Sequence, residues 1–250
     1  MTTILAVNCN TDAAMTAAIA AVGRAAASTG TAVVGVTPAW GPTSAEGYVE
    51  SYVTAAATMD AVASRTDPFD AVVMAGFGEH GREGMRQLMS QFAAQPVVDI
   101  TEAAVFAACL LGHRFGIVTT VGSAVAGIHD SIATMGMGSR CRAVRAADVH
   151  VSAIGDDVGR TADALEATGR AVLADGADVL VLGCAGFAGL DIELERRLGV
   201  PVVDGVAAAI RLAESLVRLG KRTSTAGPYA PRSTRNPWTG APLGDLRLLV

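Results

Sequence analysis

The chain has 250 residues, of which 51% are apolar and 17% charged, with a formal net charge of −5. That is enough apolar material for a sizeable core, in one large domain or in two of about 125 residues. The acidic balance excludes the basic footprint that nucleic-acid binding needs, and no apolar run reaches the roughly 20 residues that span a bilayer.

The stretch "MTTILAVNCN" lacks the basic flank and cleavage site of an export signal and reads as a first strand. The expectation is a soluble, cytoplasmic protein with no membrane partner. Cys9, Cys109, Cys141 and Cys184 show no CxxC spacing and are expected as free thiols. Strand-like apolar runs follow at 3–8, 31–38, 70–76, 95–100, 114–120, 141–149, 178–184 and 200–205. They are continuous rather than alternating, which predicts strands buried on both faces of parallel sheets. Alanine-rich stretches of helical period lie between them, among them 12–28, 45–64, 102–112, 157–175 and 206–219. The fold class is α/β, built from βαβ units.

The pattern repeats. "DAVVMAGFG…PVVDITEAA" at 70–104 recurs as "DVLVLGCAG…PVVDGVAAA" at 178–209. Asp70 aligns with Asp178, Gly78 with Gly186, and Gly76 with Cys184. An internal duplication predicts two similar lobes related by a pseudo-twofold axis. The expected division is 1–100 plus about 206–225 for the first lobe and 101–205 for the second. The segment 226–250, rich in Pro, Ser, Thr and Gly, is expected to be an irregular surface tail or a contact in a homo-oligomer.

Ligands of open α/β sheets sit beyond the carboxyl ends of the strands. Those positions hold Asn8-Cys9-Asn10, the 76–81 turn, Thr119-Thr120 and Cys184-Ala185-Gly186. They suit a small polar ligand held by amides, hydroxyls and backbone N–H groups. Cys184 ends a strand and opens onto a helix, where a thiol gains thiolate character and can act as nucleophile or base. The alternative is an inert core cysteine. Cys109 and Cys141 read as structural. Gly76, Gly78 and Gly81 match GxGxxG but follow the third strand, so they point to close backbone approach to a ligand rather than to a dinucleotide. Glu79 and His80 read either as general acid or base or as helix-capping features. His80, His113, His129 and His150 lack metal-ligand spacing, and no metal is expected.

Taken together, "NCNT", "SAEG" at 44–47, "AGFG", "PVVDITEAA", "FGIVTT" and "VLGCAG" before "GVPVVDG" resemble the aspartate/glutamate racemase superfamily. The hydantoin and allantoin racemases are the nearest branch, and the resemblance covers about residues 3 to 225. It implies an active site in the cleft between two lobes, with no cofactor. It also implies two thiols, one per lobe, that pass a proton across opposite faces of a carbon acid. Cys184 matches the second of these. The first falls at Gly76, the usual proline of the first motif is Cys9, and the acidic-proline turn reads Glu79-His80. Three readings follow: a racemase in which Cys9, His80 or a water substitutes, a one-thiol enzyme of the arylmalonate decarboxylase type, or a noncatalytic binding homologue. The resemblance places the substrate against Asn8, Asn10, Glu46, Phe77, Gly78, Thr119, Thr120, Ala185 and Gly186. The low charge of these loops favours a neutral ring such as a 5-substituted hydantoin over a dicarboxylate.

Overall fold

The computed structural model describes residues 1–231. The duplication appears as two four-stranded parallel sheets. One has the order β2-β1-β3-β4, from β1 Thr2–Asn8, β2 Thr31–Val36, β3 Ala71–Ala75 and β4 Val97–Asp99. The other has the order β6-β5-β7-β8, from β5 Phe115–Thr119, β6 Cys141–Ala146, β7 Val179–Leu182 and β8 Val202–Asp204. Advancing every strand number by four converts one sheet into the other. The central strands β3 and β7 are buried along their whole length, as their continuous apolar runs require.

The crossover helices are α1 Ala13–Ala26, α2 Tyr48–Ala63, α3 Arg82–Ser90, α4 Ile100–Leu111, α5 Gly122–Thr134, α6 Val158–Ala174, α7 Asp191–Leu198 and α8 Gly205–Arg218. Several elements are shorter than their apolar runs, for local reasons. The run 95–100 yields only three strand residues, because Ile100 already belongs to α4. The run 141–149 stops at Ala146, and Asp148 just beyond it takes a left-handed φ of 54°.

The repeated aspartates are structural. Asp70 accepts the Thr3 N–H at 2.7 Å, and Asp178 accepts those of His113 and Arg114 at 2.8 Å, each pinning the start of a neighbouring strand. Asp99 and Asp204 are N-caps. Oδ1 of Asp99 accepts from Thr101 and Glu102 of α4, and Oδ1 of Asp204 accepts from Val206 and Ala207 of α8.

Those caps turn the chain from one sheet to the other. On α4, Ala104, Val105 and Ala108 pack with Phe115, Ile117, Val179 and Val181 of the second sheet. On α8, Val206, Ala209, Ile210 and Ala213 pack with Ile4, Ala6, Ala71 and Val73 of the first. Each sheet is thus roofed by the helix that follows the other. Burying Ile210 and Val206 contributes about 1.5–3 kcal/mol per side chain, so a charge at either position would open both lobes.

After α8 the chain runs back along α3, where the Gln87 side chain donates to Pro228 O at 3.0 Å and the Tyr229 hydroxyl bonds Glu83. The rest of the expected irregular tail, from 232 onward, lies outside the described residues. Among the described residues no helix is long and apolar enough to cross a membrane.

Candidate active site

The carboxyl ends of β1, β3, β5 and β7 converge on a cavity of about 30 Å³ between the sheets. Cys9, Asn10, Phe77 and His80 wall it from the first sheet, and Thr119, Thr120, Cys184 and Ala185 from the second. By the usual ~10–15 Å³ per buried water, it holds a water or two and no ring. The pairing Asn8 with Ala75 and Val118 with Leu182 makes Cys9 and Thr120 equivalent positions of the duplication. A thiol at the end of β1 therefore stands where the second lobe has a hydroxyl.

The space beside Gly76 is occupied. A Cβ built there would lie 2.6 Å from His80 Cδ2 and 2.8 Å from Cys9 Cβ. Real Cβ atoms do not tolerate such contacts, so glycine at 76 is required by what stands at 9 and 80. Two glycines of the 76–81 turn, Gly76 and Gly81, thus admit protein groups, while Gly78 lines an open chamber. A Cβ at Gly81 would meet Ala55 Cβ at 2.6 Å, and Gly78 takes a φ of 117° that excludes other residues.

His80 and Cys9 differ in what they present. The His80 ring is buried, with Nδ1 3.0 Å from Thr54 Oγ1 and Nε2 3.3 Å from the Phe77 carbonyl. A hydrogen on Nε2 satisfies the Phe77 carbonyl and leaves Nδ1 to accept from the Thr54 hydroxyl, whose single hydrogen has the Ser51 carbonyl at 2.9 Å as its other acceptor. Burial holds the imidazole below its ordinary value, in the neutral form. Both ring nitrogens are committed, and what faces position 76 is ring carbon.

The Cys184 thiol caps a single 3-10 turn, Ala185–Phe187, and accepts the Gly186 N–H at 3.3 Å. The expected helix starts only at Asp191, too far away to lower the thiol pKa. Burial dominates and pushes Cys184 up to about 11, against the opposing pull of the Gly186 N–H. Burial, and then the nearby Cys184 sulfur, push Cys9 to about 12. Both groups rest as thiols at neutral pH, and taking a proton from one makes it harder to take one from the other.

The remaining expected contacts divide. Asn10 lines the cavity, and among the described residues its Nδ2 has only the Met15 sulfur as partner, at 3.4 Å. Thr120, Phe77 and Ala185 also line it. Asn8 spends its amide on Asn10, Asp12 O and Thr16. Thr119 donates to Gly183 O at 3.0 Å. Gly78 N–H is taken by Thr101 at 2.8 Å, and its carbonyl accepts from Ser131. The Gly186 N–H goes to the thiol, so it is not turned toward a ligand. Glu46 is a clasp: its carboxylate accepts the Val151 N–H at 2.8 Å and meets His150 Nδ1 at 3.2 Å, joining the loop after β2 to the segment after β6. Glu79 accepts the N–H groups of Gly81 and Arg82 and pairs with Arg82, a capping role.

Sequence reading missed Met15, Ala45, Ala124 and Val151 as cavity walls. Ala124 follows β5 and Val151 follows β6, so the strand-end rule points to both. It also missed a second chamber of about 130 Å³, which shares Ala45, Phe77, His80 and Ala124 with the first. Across its mouth Tyr48 of α2 donates to Asp130 Oδ2 of α5 at 2.6 Å. Among the described residues no group of three or more His, Cys, Asp or Glu is placed to hold a metal ion.

Two facing copies of an α/β unit, with thiols between them at the strand ends, define the class. A family model described as Asp/Glu/Hydantoin racemase matches residues 4–213. The chain belongs to the Asp/Glu/hydantoin racemase family and is an isomerase of the racemase class. It is 35% identical over 228 residues to the hydantoin racemase of Pseudomonas sp. (strain NS671), covering 90% of each chain. The allantoin racemase of Pseudomonas fluorescens is 46% identical with a TM-score of 0.90, covering 95% of this chain and 100% of that one. The allantoin racemase of Klebsiella pneumoniae is 35% identical with a TM-score of 0.91, covering 100% and 99%. Arylmalonate decarboxylase, at 19% identity and a TM-score of 0.60, shares the fold.

Proposed function

We propose that the protein is a cofactor-independent racemase of a small neutral carbon acid of the 5-substituted hydantoin class, with Cys9 and Cys184 as its acid–base pair. The supporting observation is that thiols from opposite sheets border one cavity, with Cys9 in the space a side chain at 76 would need. One sulfur, as thiolate, removes the ring C5 proton, and the electron pair passes onto the adjacent carbonyl. The other thiol delivers its proton to the opposite face, so inversion leaves the two sulfurs with exchanged protonation states. In this reading the Asn10 amide and the Thr120 hydroxyl, which both line the cavity, donate to the enolate oxygen. The relatives named hydantoin and allantoin racemase support the substrate class, as does the absence of Lys or Arg from the cavity walls.

A one-thiol decarboxylation is the second reading, favoured by Gly76 opposite Cys184. A second thiol and a wall without cations for two carboxylates weigh against it. The test is incubation of enantiopure 5-substituted hydantoins, allantoin and aryl malonates in deuterated water. Inversion with one deuterium gained at the stereocentre is the expected result. Carbon dioxide release, or exchange with retention, would replace the two-thiol reading.

A further inference from the structure

The thiol cavity must open to admit the ring itself, and the adjoining chamber of about 130 Å³ is the space beside it for a substituent. Its walls include a stacked pair of tyrosines, Tyr48 and Tyr52, with ring centroids 6.5 Å apart. They also include three carboxylates, Glu46, Glu79 and Asp130, and no Lys or Arg. Two of the three are answered: Glu46 by Val151 and His150, and Glu79 by Arg82. Asp130 meets only the Tyr48 hydroxyl, and no cation pairs with it among the described residues. The Tyr48 phenol is pushed up by this hydrogen bond, so it stays a donor to the Asp130 carboxylate.

An uncompensated carboxylate at the hydroxyl end of one electron-rich ring, with a second ring stacked on the first, is the chemistry that recognises a positively charged nitrogen group. The rings attract it through their quadrupoles and the carboxylate through charge and hydrogen bonding. We infer that this chamber receives the substituent on the substrate's reacting carbon, and that Asp130 with Tyr48 and Tyr52 selects substituents ending in an ammonium or guanidinium group over neutral ones, and neutral ones over carboxylates. The inference rests on the racemase reading for what enters the inner cavity. It adds which member of the substrate class is preferred. Both tyrosines and Asp130 belong to exposed helix faces at the mouth, so they filter what enters without touching the thiols.

The experiment compares 5-methyl-, 5-(4-aminobutyl)- and 5-(2-carboxyethyl)hydantoin. Proton NMR follows C5 exchange in deuterated water, and calorimetry gives the dissociation constant of each compound. The aminobutyl compound should bind and saturate at roughly fivefold to tenfold lower concentration than the methyl compound, the scale of an exposed ion pair plus a cation–π contact. The carboxyethyl compound should bind more weakly than either. In Asp130→Asn the aminobutyl-to-methyl ratio should fall toward one, with Tyr52→Leu lowering it less. Salt should erode the ratio in the wild type. Equal dissociation constants for all three compounds, or an ordering unchanged in Asp130→Asn, would overturn the inference. Failure of even 5-methylhydantoin to exchange would sink the reaction reading, and the affinities would still judge the chamber.

Discussion

The Cβ of Cys9 lies 2.8 Å from the point at which a side chain on Gly76 would begin. The two positions are therefore coupled: a side chain added at the end of β3 meets the Cβ of the residue that ends β1, and one of them must shift.

Gly76→Cys should destabilise the fold by about 1–3 kcal/mol, the usual cost of overpacking a filled site. Combining it with Cys9→Gly and His80→Ala should recover most of that loss, because the three positions share one volume. Chemical denaturation of the single and combined variants measures the coupling energy. Additive effects would show that the space is not shared.

Cys184→Ser and Cys9→Ser should each lower inversion about 10²–10⁴-fold, the range of a lost general acid or base. In both variants a single working thiol could still exchange the C5 proton on its own face. Exchange without inversion, read by NMR beside chiral chromatography, is the expected signature. A Cys9→Ser enzyme that inverts at the wild-type rate would remove Cys9 from the reaction.

The raised thiols set the pH profile. Cys184 at about 11 must lose its proton to act as base, and Cys9 at about 12 keeps its own over the same range. The active form is lost as pH falls, so kcat/KM should rise about tenfold per pH unit from 7 to 10. A substrate methylated on the ring nitrogens keeps its own ionisation out of the profile. A plateau beginning near pH 7 would mean a base other than a buried thiol.

Asp99 is buried with Oδ2 unpartnered. Burial, opposed by Arg82, raises its carboxyl from 3.8 to about 7. The folded state holds this proton where the unfolded chain has released it, so the contribution of Asp99 to stability falls as pH rises from about 4 to about 7. Neutral buried His80 works in the opposite sense, adding stability as pH rises through the ordinary imidazole range. Subtracting Asp99→Asn from wild type isolates the first effect. The wild type should gain on the variant as pH is lowered from 7.5 to 5, by an amount on the order of 2–4 kcal/mol. A difference that does not change with pH would refute the assignment.

Removing the clasp with Glu46→Ala strands the Val151 N–H and should cost about 1–2 kcal/mol. Hydrogen exchange at Val151 should quicken. Substrate should enter more readily and leave more readily, because the inner cavity must open to admit a ring. An unchanged exchange rate at Val151 would show that the clasp does not hold the mouth.

Much of the fold is legible in the sequence. Continuous apolar runs point to the parallel sheets, and the aligned "DAVVMAG" and "DVLVLGC" point to the two similar lobes. Less legible was which strand-end groups remain available to a ligand. Asn8, Thr119 and Gly78 have the right chemistry at the right strand ends, but their hydrogen bonds are consumed by Thr16, Gly183 and Thr101. Such commitments depend on residues distant in sequence and carry no local pattern. The surroundings of the Cys184 thiol are hard to read in the sequence for a related reason. A strand followed by small residues promised a helix N-terminus, but Cys184 meets one 3-10 turn and the burial of its sulfur prevails.

Since α4 covers the second sheet and α8 the first, neither copy of the duplicated unit encloses its own core. A chain carrying only one copy would end in a helix without a sheet to lie on, and its sheet would lack a roof. Two such chains would meet both needs by trading their last helices, as domain-swapped dimers do. The connectivity of this protein is that of such a dimer with its subunits fused head to tail. Fusion released the two halves from the obligation to be identical, and the displaced thiol of Cys9 lies in one half alone.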